Sequence, residues 1–344
     1  MRMRAKITIA EYLQNDPVHY DFTNDCTDSA DYREKTGYEK YFIYRSPKPE
    51  RFPRTDGIYL TAVSAIEKNY RQYGEIGDPD TESNLLQDIY TILWPDLKKG
   101  QKGYMMNKNR ICSDTMTSCQ TILNDYVERK MPDVLTKYSV KRVSNKICIA
   151  LYETDPSFRE LLDKSKKLKH FIDVYHTLGN YIPVPCGFNA ARSGHFGSHD
   201  SWDLTLMKIK EYYDARKEIH ECIGKTPASP GIKIMELLHR NGEIINCCKW
   251  LDSFAGWEDF IDKNFLQDFV GEDYQPRPFC GEHSWECPHV KNFDDFFDEA
   301  SLMIEKRSEK MVEKLKERIY GTGMIDVEFP RDVEENLRPL QKRY

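Results

Sequence analysis

The 344-residue chain has no long hydrophobic run, no basic excess, no internal repeat and no low-complexity linker. Its longest apolar run, ICIALY at 147–152, falls far short of the roughly 20 residues that a bilayer span requires. The N-terminal MRMRAKITIAEYLQ alternates charged and apolar residues and lacks the continuous apolar core of a secretory signal. These absences predict a soluble, cytoplasmic protein with no membrane partner. The 56 acidic and 50 basic residues are mixed along the chain, for a formal charge of −6, so no basic field drives non-specific binding to nucleic acid. A nucleic-acid partner would need a local patch. With no export signal, the ten cysteines are expected to be reduced thiols in the core, Cys247 and Cys248 included, and a disulfide framework is the weaker reading.

What is present is ordinary globular composition, 40% hydrophobic and 12% aromatic, in a chain long enough for a proper core. The pattern predicts a mainly α fold with a small β-containing N-terminal region, an α+β chain built on a single large helical domain. Residues 1–70 form the irregular, β-containing part, 71–322 the helical core and 323–344 a C-terminal extension. Strands are expected in VHYDF and YFIYR, short β-prone runs set between turn-forming residues. From Ser83 the period changes: SNLLQDIYTILW puts Leu85, Leu86, Ile89, Ile92 and Leu93 on one helical face, with Ser83 as N-cap and Pro95 as terminator. Further helices are expected over 115–130, 156–177, 201–222, 230–251, 257–270 and 293–319. In the last, Phe297, Ile304, Met311, Leu315 and Ile319 form a buried stripe backed by alternating Glu and Lys, and Gly321 closes it.

Between two of these helices lies HTLGNYIPVPCGFNAARSGHFGSHDSWDLTL, residues 176–206. Helix punctuation explains its ends. Gly179 and Asn180 suit a C-terminal turn, Pro183 and Pro185 prevent resumption, and Asp200 and Asp203 suit the start of the next helix. A connection of about twenty residues remains, longer than a compact domain tolerates unless the loop is functional or disordered. Tyr181, Ile182, Val184, Phe188 and Phe196 give it packing of its own, so an ordered loop presenting Asn189, Arg192, His195 and His199 is expected.

Familiar catalytic signatures are missing. IGKTPAS lacks the first glycine of a phosphate loop and follows a helix, and HECIG lacks the second histidine of a zinc protease. There is no Gly-x-Ser-x-Gly, no Gly-x-Gly-x-x-Gly and no basic DNA-reading helix. Two constellations carry metal-ligand types. PFCGEHSWECPH holds Cys280, His283, Cys287 and His289, suited to Zn²⁺ but spaced unlike a finger or ribbon. His176, His195, His199, Asp200 and Asp203 could hold a divalent metal, the alternative being that His176 is a cation ending a helix and the aspartates cap the next. No cofactor is named by either pattern.

A metal-free arrangement uses Asn180, Asn189 and Arg192 as polar anchors. Ser113 and Asp114, placed at a helix start, would add a backbone anion site. In this reading His176 and Asp114 are the candidate catalytic residues, and Ser113, Asn180, Asn189, Arg192 and His199 the candidate ligand-binding residues. The competing expectation is a hydrogen-bonded clasp in which the same groups satisfy buried backbone.

The ordered series LLQDIYTILWPDLKKG, SDTM, HTLGNYIPVP, FNAARSG, DSWDLTLMKIKEYY, GWEDFIDKNFLQDF and FFDEASLMIEKRSEKM resembles a bacterial family defined only as a domain of unknown function, over roughly residues 80–315. Ser201 and Trp202 stand where that pattern commonly has Arg-Phe, and the resemblance implies positions without chemistry. TLGNYIPVPCGFN is also faintly similar to the Gly-Asn segment of HNH nuclease domains, but the upstream His-Ile-x-Pro element of those enzymes has no counterpart. The function expected is an enzyme acting on a phosphate-containing ligand, a nucleotide or nucleic acid. The alternative is a non-catalytic protein-interaction module of a defence or regulatory system.

Overall fold

A computed structural model describes residues 7–46, 48, 57–97, 110–186, 188, 201–217, 244–281 and 289–321. Among them are fifteen α-helices and one two-stranded sheet, a mainly α fold with a small β part. The N-terminal third holds α1 (Ile9–Gln14), a 3-10 turn (Phe22–Cys26), α2 (Ala30–Arg33), α3 (Gly37–Tyr44), α4 (Ile58–Tyr73), α5 (Pro79–Glu82) and α6 (Asn84–Leu93). Strand β1 (Ser113–Thr115) precedes α7 (Cys119–Lys130), α8 (Pro132–Lys137), α9 (Asn145–Thr154), α10 (Pro156–Lys164) and α11 (Lys166–Val174). A 3-10 turn (Leu178–Asn180) leads into β2 (Tyr181–Pro183). Then come α12 (Trp202–Asp214), α13 (Ile244–Asp252), α14 (Trp257–Lys263) and α15 (Phe293–Tyr320).

The strands expected in the first sixty residues are not there among the described residues. VHYDF is a turn running into the 3-10 segment, and YFIYR ends α3. The reason is tertiary: Tyr38, Tyr41 and Phe42 recur at helical spacing and all bury in the main core, which overrides the β preference of their aromatic rings. The strands come instead from 113–115 and 181–183, antiparallel, with Asp114 opposite Ile182.

At α6 the local signals hold. Ser83 caps α6, its hydroxyl accepting from the Leu86 amide at 3.0 Å, and Asp25 reinforces that cap from the Ser83 hydroxyl (2.8 Å) and the Leu85 amide (3.2 Å). The segment expected as one helix over 156–177 breaks at Ser165, which ends α10 and caps α11 through the Leu168 amide. Helix α12 stops at Asp214, and α14 stops at Lys263, before Phe265 takes a left-handed backbone (φ 59°).

Helix α15 spans about 42 Å at 1.5 Å per residue and ties the core together. Its first half, with Phe293, Phe296, Phe297, Ala300 and Ile304, sits in the large core. Met311, Val312, Leu315 and Ile319 pack in a second core with α1, α6 and the strand ribbon. All five residues of the expected stripe are buried. No described helix is long and apolar enough to cross a membrane.

Candidate functional site

The segment 112–118 is where both ends of the long loop attach. On one side β1 pairs with β2, the Met116 amide donates to Asn180 O (2.7 Å) and the Val184 amide to Cys112 O (3.1 Å). On the other, the Trp202 amide donates to Met116 O at 2.8 Å. The expectation of reduced thiols fails here: Cys112 and Cys186 are joined in a disulfide beside the ribbon, Cα atoms 5.4 Å apart, because strand pairing brings two half-buried thiols together across 74 residues. Cys26, Cys119, Cys148, Cys247, Cys248 and Cys280 are buried, as expected of core residues.

Around this ribbon Ser113, Asp114 and Asn180, three of the expected site residues, do structural work. Ser113 and Asp114 lie on a strand and not at a helix start, since α7 begins only at Cys119, so the backbone anion site expected of them does not form. The Ser113 hydroxyl donates to Asp80 Oδ1 at 3.1 Å. Asp114 is fully buried and accepts from the Trp202 indole at 3.1 Å. Asn180 is a clasp: its carbonyl accepts from the Thr117 amide (3.0 Å), and its NH₂ donates to Tyr175 O (2.7 Å) and Thr117 O (3.3 Å). Asp203 holds the Phe279 amide at 2.9 Å. Asn189, Arg192, His195, His199 and Asp200 lie outside the described residues, as do His283 and Cys287 of the expected zinc cluster. Among the described residues no group of three or more His, Cys, Asp or Glu could hold a metal ion.

His176 stands apart from the ribbon. It lines a cavity of about 330 Å³ between the N-terminal segment and α11, together with Asp21, Lys35, Lys40, His170 and Asp173. Ser113, Asp114 and Asn180 are not in that lining. The imidazole is 6% exposed, with Tyr44 and Tyr175 rings at 4.4 and 4.3 Å centroid distance. Its backbone carbonyl accepts from the Phe22 amide (3.0 Å), which anchors the N-terminal segment to it. Nδ1 is 4.0 Å from Asp21 Oδ1, and Nε2 is buried without a hydrogen-bond partner. Burial pushes its pKa down to about 4; Asp21 opposes this, while Arg45 and Lys40 add to it. The ring is therefore neutral at pH 7. It also lies two residues beyond the end of α11, so the cation expected to finish that helix is absent.

Asp21 and Lys40 form the charged side of the cavity. Lys40, only 8% exposed, pairs with Asp21 at 2.7 Å and donates to Asn24 Oδ1 at 2.8 Å. Burial raises the Asp21 pKa, but Lys40 and His176 outweigh it and hold the carboxyl below its ordinary value. At the rim, His19 and His170 share the Glu305 carboxylate, at 3.3 and 3.2 Å. Asp21, Lys40 and Glu305 were not legible as site residues. The first two fall in a stretch read as strand and turn, and the third on the solvated face of α15. Such an arrangement can do acid–base chemistry: a neutral imidazole beside a carboxylate–ammonium pair, largely withdrawn from water.

Comparison with family models, with curated proteins and with solved structures finds nothing that matches this chain.

Proposed function

We propose that the protein is an enzyme acting on a phosphate-containing ligand, and that its site is the cavity bearing His176 and not the ribbon. One observation carries this reading: a buried, neutral histidine with an unpartnered Nε2 lines a cavity that also holds the Asp21–Lys40 pair. Ion pairing and burial of that kind cost stability unless they are used or fully satisfied. The ligand is met by Lys35, Lys40 and the rim histidines, and His176 exchanges the proton.

The test is a panel of nucleotides, sugar phosphates and oligonucleotides, with and without divalent cations, read by thermal shift and by turnover. Binding that survives His176→Gln while turnover falls by about a hundredfold supports the assignment. If no member of the panel shifts the melting temperature or reacts, the enzyme reading is wrong and the non-catalytic interaction module takes its place. The proposal keeps the cytoplasm as the working compartment. There the Cys112–Cys186 bond is open to reduction, and alkylation of the thiols in fresh extract measures how much of it persists.

A further inference from the structure

We infer that the cavity takes a small phosphomonoester, with its phosphate at the N-terminus of α3 between Lys35 and Lys40. This rests on the reading given above and narrows it from phosphate ligands in general to one class and one subsite.

Helix α3 begins at Gly37, and both Thr36 and Gly37 line the cavity. The first amides of a helix have no partner within it, and the aligned peptide dipoles make that end attractive to anions. Thr36 does not cap it with its side chain. Gly37 has a left-handed backbone (φ 56°) and no side chain to screen its amide. The position already has a carboxylate beside it: Asp173 Oδ1 lies 3.8 Å from where a Gly37 side chain would begin, and the Gly37 amide favours its charged form. Lys35 precedes this turn and Lys40 follows one turn into the helix; both line the cavity, Lys35 paired with Glu39 (2.8 Å) and Lys40 with Asp21 (2.7 Å).

The independent observation is His176. It lines the same cavity at 6% exposure, with a buried Nε2 that has no hydrogen-bond partner. A phosphate at α3 would thus share a small space with a group able to exchange a proton. Size and charge select the class. A cavity of about 330 Å³ is at the lower end of small-molecule sites, and a chain of formal charge −6 offers no extended basic track for a polynucleotide backbone. Asp173 is the group that a phosphate must displace. Burial, with Asp21 nearby, raises its pKa and makes its charge the easier one to surrender.

The experiment titrates the full chain with inorganic phosphate and with glycerol phosphate and follows backbone amides by NMR. The Gly37 and Tyr38 amides are expected to move most. Lys35→Glu, a change at the rim, should weaken binding by about tenfold, and Asp173→Asn should strengthen it several-fold by removing the competing carboxylate. If either ligand binds but the shifts cluster away from α3 and both variants bind like the wild type, the subsite is wrong while the phosphate reading survives. A single-stranded oligonucleotide binding more tightly than glycerol phosphate overturns the choice of class. If nothing in the phosphate panel binds the wild type, both readings fall together.

Discussion

Arg307 Nη1 donates to the Gly179 carbonyl at 2.6 Å, tying the longest helix to the turn that opens the ribbon. The same nitrogen donates to Tyr181 O (2.7 Å), and Nε to Asn264 O (3.0 Å). The guanidinium is fully buried, and burial pushes its pKa down to about 9, so it stays charged at pH 7. Its partners are backbone carbonyls, which makes it a central clamp for three chain segments.

Arg307→Leu leaves those three carbonyls without their donor in a dry interior. Each buried unsatisfied group costs about 1–3 kcal/mol, so urea unfolding should show a loss of at least about 3 kcal/mol. Arg307→Lys should fall between, because one ammonium cannot span the three acceptors. A loss under about 1 kcal/mol for the leucine variant would show that the clamp is not what holds the ribbon to α15.

Gly179→Ala should be worse tolerated than any exposed glycine change. A Cβ at this position would stand 1.8 Å from Ile304 O and 2.8 Å from the Ser308 amide nitrogen, and both are helix backbone that cannot swing aside. Loss of several kcal/mol, or failure to accumulate folded protein, is expected. A melting temperature equal to wild type would mean that the turn does not approach α15 this closely.

Reduction of Cys112–Cys186 should lower stability without unfolding the protein. Closing a loop across 74 residues restricts the unfolded chain by roughly 4 kcal/mol in the chain-entropy account. Melting with and without a phosphine reductant measures this, and Cys112→Ser should reproduce the reduced value and abolish the response. If the reductant leaves the wild-type melting temperature unchanged, the bond does not contribute in this way.

Acid should destabilise the fold through His176. Its pKa lies at about 4 in the folded chain against 6.5 for an ordinary histidine, so as pH falls below 6.5 the unfolded chain binds a proton that the folded chain refuses. The contribution is whole above pH 6.5, is lost between there and pH 4, and amounts to about 3 kcal/mol at 1.36 kcal/mol per pKa unit. Asp21 is also held below its ordinary pKa and weakens the fold in acid, so the comparison must be between wild type and His176→Gln. The variant should lose less stability over that window, and equal losses would remove His176 as the cause.

Part of this protein could be read from local pattern. Helix α6 announces itself through the Ser83 cap, its apolar face and Pro95, and α15 through a buried stripe from Phe297 to Ile319, because period and capping are properties of neighbouring residues. The loop 176–206 could be singled out by its length, while its attachment at both described ends to the stretch around Asp114 is a finding of the fold. What local pattern could not decide was everything set by contacts across the chain. YFIYR has β-prone residues yet is helical because Tyr41 and Phe42 bury in a core made by later helices. Cys112 meets Cys186 only once two strands pair, and Arg307, written among lysines and glutamates, faces inward because three distant carbonyls converge on it. His176 could be singled out from the sequence, but its neutrality and its cavity depend on Asp21, Lys40 and Tyr44, more than 130 residues earlier in the chain, which only the packing of α3 against α11 brings within reach.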